Sequence, residues 1–272
     1  MKRSYDCVVA VGCSYTAGSN IITDPKTDAA KLRASYILAN ELNIPEINLA
    51  KAGAGNQFIT RTVYEWIKSN TKYSNPLFLI GTSGITRKEF QSVETDKYYD
   101  LHIFDFQWNK PKEFQNSLKR RATKVSTHLD TESFEKWLRV ETEFMYNDSY
   151  EKERAKRLYE LLTVYIESKG YNYVIFNSLY DVVGSLKDEL NFVSFNMEEG
   201  QEYSMNDVAP TRNESQLHDC WYHYLRQQHG KKYDFNDTST RSNVAPYGEY
   251  FCGGHPSPKA NYELVQRIKK YI

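Results

Sequence analysis

The sequence predicts an α/β protein in which a mainly parallel sheet is covered by helices on both faces. Short apolar segments alternate along the chain with longer segments whose apolar residues recur at helical spacing. The segment 76–81 is apolar almost throughout, which is typical of a strand buried on both faces of a parallel sheet. Strands that alternate with helices in this way favour a single sheet between two helical layers.

The individual elements follow from the same patterns. We expect strands at 7–12, 44–49, 76–81 and 173–177, and a fifth at 191–195. We expect helices at 28–42, 56–69, 133–146, 151–169 and 258–272. Asp28 and Asn56 are suited to cap the first two of these helices, and Gly170 is suited to end the fourth.

A single domain over residues 1–272 is expected, with two irregular regions. The segment 95–130 interrupts the alternation of strand and helix after the third strand, and long segments of this kind often act as lids. We therefore expect a cap there, beside the ligand-binding edge of the sheet. The segment 198–254 is polar and is expected to be rich in loops.

Composition argues against several classes of function. The 35 basic and 35 acidic residues cancel, so no overall positive field would attract nucleic acid. No apolar run is long enough to span a membrane. The four cysteines form neither a disulfide framework nor a CxxC pair, which favours a cytoplasmic location and gives no zinc site. We expect neither a cofactor nor a metal, and the sequence leaves the oligomeric state open.

A serine between glycines follows the first strand. The stretch 12–18 reads Gly-Cys-Ser-Tyr-Thr-Ala-Gly and predicts a tight strand-to-helix turn that presents Ser14. From this turn alone, Ser14 is equally well interpreted as a nucleophile or as a helix N-cap. As a nucleophile it needs a base, and His255, in a Gly-His-Pro turn near the chain end, is the candidate. Cys13 is expected to be a buried, inert thiol, because neighbouring side chains at a strand end point in opposite directions.

The motifs and their order resemble those of the SGNH/GDSL hydrolase superfamily. The first motif of that family is Gly-Asp-Ser-x-Thr-x-Gly, and here Cys13 replaces the Asp. The second is a glycine in the loop after the second strand, where this chain has Gly53. The residues that match the first motif are Gly12, Ser14, Thr16 and Gly18.

The two later motifs are matched in part. Ser83 stands where the third motif, Gly-x-Asn-Asp, has its Asn. The last motif, Asp-x-x-His-Pro, keeps His255 and Pro256 and has Cys252 in place of the Asp. The four motifs occur in the order of the family and span nearly the whole chain.

This resemblance implies a three-layer α/β/α sandwich of the flavodoxin-like, SGNH-hydrolase type. It also implies that Ser14 is the nucleophile and His255 the general base. The backbone N–H groups of Ser14 and Gly53 would then stabilise the oxyanion together with a side chain at the third motif. Ser83 is the candidate for that side chain, with a shorter reach than Asn, and Asn56 is an alternative amide donor.

The residue that orients the base is left open by the sequence. Cys252 cannot supply the carboxylate that the family places there. A backbone carbonyl could hold the ring of His255, or Glu249 or Asp219 could substitute, or activity could be lost. A second pair is also open, because Arg87 and Glu89 could line the pocket or pair with one another.

The expected function is that of a serine-dependent ester hydrolase that acts through an acyl-enzyme. We expect a small acyl ester as substrate, with an O-acetylated glycan as the leading candidate because the chain contains 22 tyrosines, whose rings suit sugar-like ligands. Two alternatives remain. One is an acyltransferase, in which the acyl group passes to an alcohol. The other is a non-catalytic binding or assembly protein on a degenerate hydrolase fold.

Overall fold

A computed structural model gives the structure of most of the chain. It describes residues 4–19, 21, 28–92, 96, 98–102, 131–179, 182, 190–195, 220–221, 224–225, 250–252 and 255–272. Most of the expected cap at 95–130 and of the loop-rich segment 198–254 therefore lies outside the described residues. Within the described part, no helix combines the length and the apolar character needed to cross a membrane.

The central sheet has the parallel arrangement that the sequence predicts. Its strands are β1 (Cys7–Val11), β2 (Glu46–Asn48), β3 (Pro76–Thr82) and β6 (Asn172–Asn177). Their spatial order is β2–β1–β3–β6, and every neighbouring pair is parallel. Phe192 adds one parallel bridge to Ile175, at the position of the expected fifth strand. Because the strands share one direction, their carboxyl ends meet at the same edge of the sheet.

Helices cover both faces of this sheet. One face carries α2 (Ala34–Leu42) and α6 (Pro258–Ile268), and the other carries α3 (Asn56–Ser69) and α5 (Asp148–Ser168). Successive strand residues point to opposite faces, so the side chains of the sheet contribute to two separate apolar cores, one on each face. The fold is therefore a three-layer α/β/α sandwich, as the sequence predicts.

The two cores use alternate residues of the same strands. The core beneath α2 and α6 contains Val8, Ala10, Leu77, Leu79, Val174, Leu38, Leu264 and Ile268. The core beneath α3 and α5 contains Val9, Val11, Phe78, Ile80, Ile175, Ile59, Val63 and Ile166. The strands are thus buried on both sides, and this is why the strand at 76–81 is apolar at nearly every position.

The helix expected at 258–272 ends early, at Ile268, and two other expected helices change in course or type. The helix expected at 28–42 is divided, since a 3-10 turn at Ala29–Leu32 is followed by an extended Arg33 before α2 begins. Asp28 does cap this turn, because its side chain accepts a hydrogen bond from the Ala30 N–H. The helix expected at 133–146 begins earlier as α4 (Thr131–Val140) and continues as a π-helical turn at Glu141–Met145.

Two small antiparallel hairpins supplement the parallel sheet. The larger one pairs β4 (Arg87–Gln91) with β5 (Tyr98–His102), and β5 lies within the segment 95–130 where a cap is expected. The smaller one pairs β7 (Phe251–Cys252) with β8 (His255–Pro256). Both hairpins adjoin motifs that the sequence analysis singled out.

Candidate active site

Ser14 is the first residue of a short helix that begins directly after β1. This helix, α1 (Ser14–Ala17), follows an extended Cys13 and ends at Gly18, whose φ of 72° lies in the left-handed region. The strand-to-helix turn predicted from the sequence is therefore present. Ser14 is largely buried, with 7% of its surface exposed, and Cys13 is a fully buried free thiol, as expected.

Two glycines allow α1 to approach the sheet closely. A Cβ atom on Gly12 would lie 2.1 Å from Thr16 Oγ1, and a Cβ atom on Gly81 would lie 2.3 Å from the same atom. Asn48, at the end of β2, holds the helix from another side, because its amide donates to the Thr16 carbonyl at 3.2 Å. The ends of three strands thus determine where Ser14 lies.

His255 lies in β8, next to α1. Its ring centroid is 5.4 Å from that of Tyr15, the neighbour of Ser14, and β8 contacts α1. The backbone after His255 is fixed because Ser257 caps α6, its Oγ accepting from the Ala260 N–H at 3.2 Å. The fold therefore brings the candidate nucleophile and the candidate base to adjacent elements, although they lie 241 positions apart in the sequence, at 14 and 255.

The position of the missing carboxylate is also adjacent to His255. Cys252 is the register partner of His255 in the β7–β8 hairpin. The two acidic residues that could substitute for it, Glu249 and Asp219, lie outside the described residues.

Gly53 lies in an exposed loop that is tied to the Ser14 turn. Its φ is 82°, and no atom lies within 4 Å of the place where a Cβ would be. The Lys51 N–H donates to the Gly12 carbonyl at 3.0 Å. Asp100, in β5, holds the other side of the loop, because it accepts from the Gly55 N–H at 3.0 Å and from Lys51 Nζ at 2.7 Å. The described part of the expected cap thus braces the Gly53 loop.

Ser83 and Asn56 form one buried hydrogen-bond network. The Asn56 side chain accepts from the Ser83 N–H at 2.8 Å and donates to the Ser83 carbonyl at 3.1 Å. The Ser83 hydroxyl donates to the Ala54 carbonyl at 2.6 Å. The expectation that Asn56 caps α3 is wrong, because Gly55 takes the cap position and Asn56 is the first residue of the helix. The Asn56 side chain binds Ser83 instead.

A tyrosine completes this network. The Tyr159 hydroxyl, in α5, donates to Asn56 Oδ1 at 2.8 Å. Burial raises the pKa of Tyr159 well above its ordinary value, so the hydroxyl keeps its proton and remains a donor. The sequence analysis did not identify Tyr159, because nothing in the sequence distinguishes a tyrosine whose hydroxyl forms a hydrogen bond from one that only packs on an apolar helix face.

Arg87 is the charged residue of this network. Its NH1 group donates to Ser83 Oγ at 3.0 Å. Glu89 instead binds Arg61, with an N–O distance of 2.6 Å, so the pairing of Arg87 with Glu89 that the sequence left open does not form. Arg87 and Glu89 thus lie two positions apart in β4 and bind different partners, Ser83 and Arg61 respectively.

Comparison with protein-family models gives no match, and comparison with curated proteins gives none either. Solved structures do show similarity over nearly the whole chain. A member of the lipolytic protein G-D-S-L family from Veillonella parvula is 7% identical, with a TM-score of 0.43, over 97% of this chain and 96% of that one. A putative lipolytic protein of the G-D-S-L family from Desulfitobacterium hafniense is 10% identical, with a TM-score of 0.39, over 98% and 99%.

A third similar structure is phospholipase A1 from Streptomyces albidoflavus, which is 9% identical, with a TM-score of 0.43. The similarity covers 98% of this chain and 100% of that one. The parallel strand order and the helices on both faces of the sheet show the fold independently of these structures. In overall structure the chain is similar to proteins described as G-D-S-L lipolytic proteins, the family that its motifs resemble.

Proposed function

We propose that the protein is a serine-dependent ester hydrolase in which Ser14 is the nucleophile and His255 the general base. The observation that carries this proposal is the adjacency of α1 and β8 at the carboxyl edge of the sheet. Ligands of open α/β sheets bind at this edge. Glycine-dependent packing holds Ser14 at this edge, and His255 reaches the same edge from the other end of the chain. This arrangement suits nucleophilic catalysis better than helix capping.

The proposed reaction has two steps. The imidazole of His255 takes the proton of the Ser14 hydroxyl while Oγ attacks the ester carbonyl carbon, and the carbonyl oxygen becomes negative. When this intermediate collapses, the alcohol leaves with the proton from His255, and an acyl-enzyme remains. Water, deprotonated by the same imidazole, then attacks the acyl carbonyl carbon, and the acid is released as the bond to Ser14 Oγ breaks and Oγ takes the proton back from His255. An alcohol in place of this water would give the acyltransferase alternative.

The oxyanion is proposed to be stabilised by the backbone N–H groups of Ser14 and Gly53. The observed network limits what the two expected side-chain donors can add. The Ser83 hydroxyl must leave the Ala54 carbonyl before it can donate to substrate. Asn56 already commits one amide hydrogen to the Ser83 carbonyl. We propose that Asn56 acts chiefly by holding Ser83 and the end of β3 in place.

The substrate is proposed to be a small acyl ester, with an O-acetylated glycan as the first class to assay. A cap formed by residues 95–130 belongs to the same proposal, and its support is the contact of Asp100 with the Gly53 loop. The orienting group of His255 is proposed to be a backbone carbonyl or the carboxylate of Glu249 or Asp219. We further propose a cytoplasmic location, for which the support is the free state of the described cysteines.

The proposal is tested by ester hydrolysis. The wild type is assayed with 4-nitrophenyl esters from acetyl to decanoyl and with acetylated xylan, beside Ser14→Ala and His255→Ala. We expect both substitutions to lower kcat by about a thousandfold or more, whereas Ser69→Ala, at the far end of α3, should leave kcat unchanged. A wild type without turnover that still binds these ligands would instead favour the non-catalytic binding protein.

A further inference from the structure

Among the described residues, Arg87 has no acidic partner, in contrast to two other cations near the candidate site. Lys51 pairs with Asp100 at 2.7 Å, and Arg61 pairs with Glu89 at 2.6 Å. No described carboxylate lies within salt-bridge distance of the Arg87 guanidinium. Arg87 is nevertheless partly buried, so its charge is only partly solvated by water. A partly buried cation is stabilised when an opposite charge is placed beside it, and a bound anion would supply that charge.

The guanidinium is also held in a fixed place. Its NH1 group donates to Ser83 Oγ, and Ser83 is fully buried at the end of β3. The backbone of Arg87 lies directly against the same region, because a Cβ on Gly55 would lie only 2.5 Å from the Arg87 carbonyl oxygen. Gly55 thus allows the loop that carries Gly53 to pack directly on Arg87. A preorganised charge binds a ligand with a smaller loss of side-chain entropy than a mobile one.

We propose that Arg87 binds an anionic group of the substrate and thereby selects esters that carry a carboxylate or phosphate close to the reacting carbonyl. The inference rests on the proposed function. A guanidinium has five N–H donors, and the bond to Ser83 uses one of them. The others can bind two oxygens of one anion side by side, which a neutral ester does not offer. Ser83 then orients the guanidinium through the hydrogen bond that its hydroxyl oxygen accepts.

The kinetic test compares two esters of equal chain length. They are 4-nitrophenyl hemisuccinate, which carries a carboxylate, and 4-nitrophenyl butyrate, which is neutral. In Arg87→Gln we expect kcat/KM for the hemisuccinate to fall by about 10- to 100-fold, mainly through KM, and that for the butyrate to change less than about threefold. Arg87→Lys should recover part of the loss, because it keeps the charge but not the paired donors. The matched control, Arg61→Gln, should not alter the preference.

A binding test separates this inference from the proposed function. Succinate and inorganic phosphate are titrated into Ser14→Ala and into Ser14→Ala/Arg87→Gln, with binding followed by calorimetry. We expect Arg87 to be required for binding of succinate, phosphate or both, even if the wild type hydrolyses no ester, and the stronger of the two identifies the anion. Equal binding to both variants, or no binding to either, would overturn the proposal, as would equal losses of activity on the two esters.

Discussion

The side-chain amide of Asn56 binds both backbone groups of Ser83, accepting from its N–H at 2.8 Å and donating to its carbonyl at 3.1 Å. This pair joins the start of α3 to the end of β3 at the edge of the sheet where Ser14 lies. An amide is the side chain that can satisfy a backbone donor and a backbone acceptor together. The relationship therefore fixes the start of α3 relative to the end of β3.

The first prediction follows from this pair. Asn56→Ala leaves the N–H and carbonyl of Ser83 and the hydroxyl of Tyr159 buried without their partner. Each such group costs about 1–3 kcal/mol, so we expect the free energy of unfolding to fall by more than about 2 kcal/mol in urea titrations. The control Tyr159→Phe removes one donor only and should cost clearly less. Equal losses in the two variants would show that the bonds to Ser83 contribute little.

The second prediction concerns the packing of α1 on the sheet. In Gly81→Ala the new Cβ would lie 2.3 Å from Thr16 Oγ1 and 2.8 Å from the ring of Phe176. We expect a loss of about 1–3 kcal/mol in the free energy of unfolding and a fall in esterase activity, because α1 must move. Gly170→Ala, which meets no atom within 4 Å but has a φ of 72°, should cost stability and leave activity unchanged. Full activity in Gly81→Ala would contradict the close packing.

The sequence predicted most of the central architecture because the relevant signals are local. Buried strands are apolar in sequence, and helices show their spacing and their caps within a few residues. The β4 strand has no such signal, since it reads Arg-Lys-Glu-Phe-Gln, and its stability comes from partners far along the chain. Lys88 is buried there because Glu141 and Glu151 neutralise it. No pattern within β4 could have revealed this.

The positions of the candidate residues were predictable to a similar degree, and their catalytic roles are part of the proposed function. The motif order named Ser14 and His255, and the fold brings their elements together. The roles of the second set of residues were not predictable, because they depend on which groups meet in space. Asn56 has the sequence signature of a helix cap, yet its side chain forms hydrogen bonds with the backbone of Ser83. A role for Arg87 could be proposed only from the structure, in which its guanidinium binds Ser83 and Glu89 binds Arg61.

The third prediction concerns the buried charge cluster that joins β4 to α5. Lys88 Nζ lies 3.1 Å from Glu141 and 3.0 Å from Glu151, and all three side chains are nearly buried. Lys88→Met leaves Glu141 without its cation and Glu151 with only the partly exposed Arg154, at 3.5 Å, so we expect a loss of about 3–5 kcal/mol in unfolding free energy. The exposed pair of Lys136 with Glu132 provides the control.

In that control, Lys136→Met should change stability by less than about 1 kcal/mol. Restoring neutrality in Lys88→Met/Glu141→Gln/Glu151→Gln should recover part of the loss. If Lys88→Met proves as mild as Lys136→Met, the cluster is solvated in solution and does not anchor the β4–β5 hairpin.

The fourth prediction is a pH dependence at Asp6. Burial acts to raise the pKa of this carboxyl, but hydrogen bonds from Asn75 and Ser74 outweigh it and hold the pKa below its ordinary value. A depressed pKa in the folded state contributes stability above the pKa of the unfolded chain, and this contribution is lost as pH falls through the folded value. Asp6→Asn should therefore be less stable than wild type at pH 7, with a gap that narrows toward pH 3.

Urea titrations at pH 7, 5 and 3 measure that gap. Glu153→Gln, which alters an exposed pair with Arg157, is the control and should show little gap at any of these pH values. A gap for Asp6→Asn that stays constant or widens on acidification would contradict the sign of the shift.

The most direct test of the account is the site of covalent modification by a fluorophosphonate probe. Wild type, Ser14→Ala, His255→Ala and Arg87→Gln are treated at neutral pH, and the modified residue is identified by intact mass and peptide sequencing. We predict one adduct per chain, located on Ser14, which is absent in Ser14→Ala, much slower in His255→Ala and little changed in Arg87→Gln with a neutral probe. An adduct that forms at the same rate in Ser14→Ala, or a wild type that forms none, would contradict the central claim that Ser14 is an activated nucleophile.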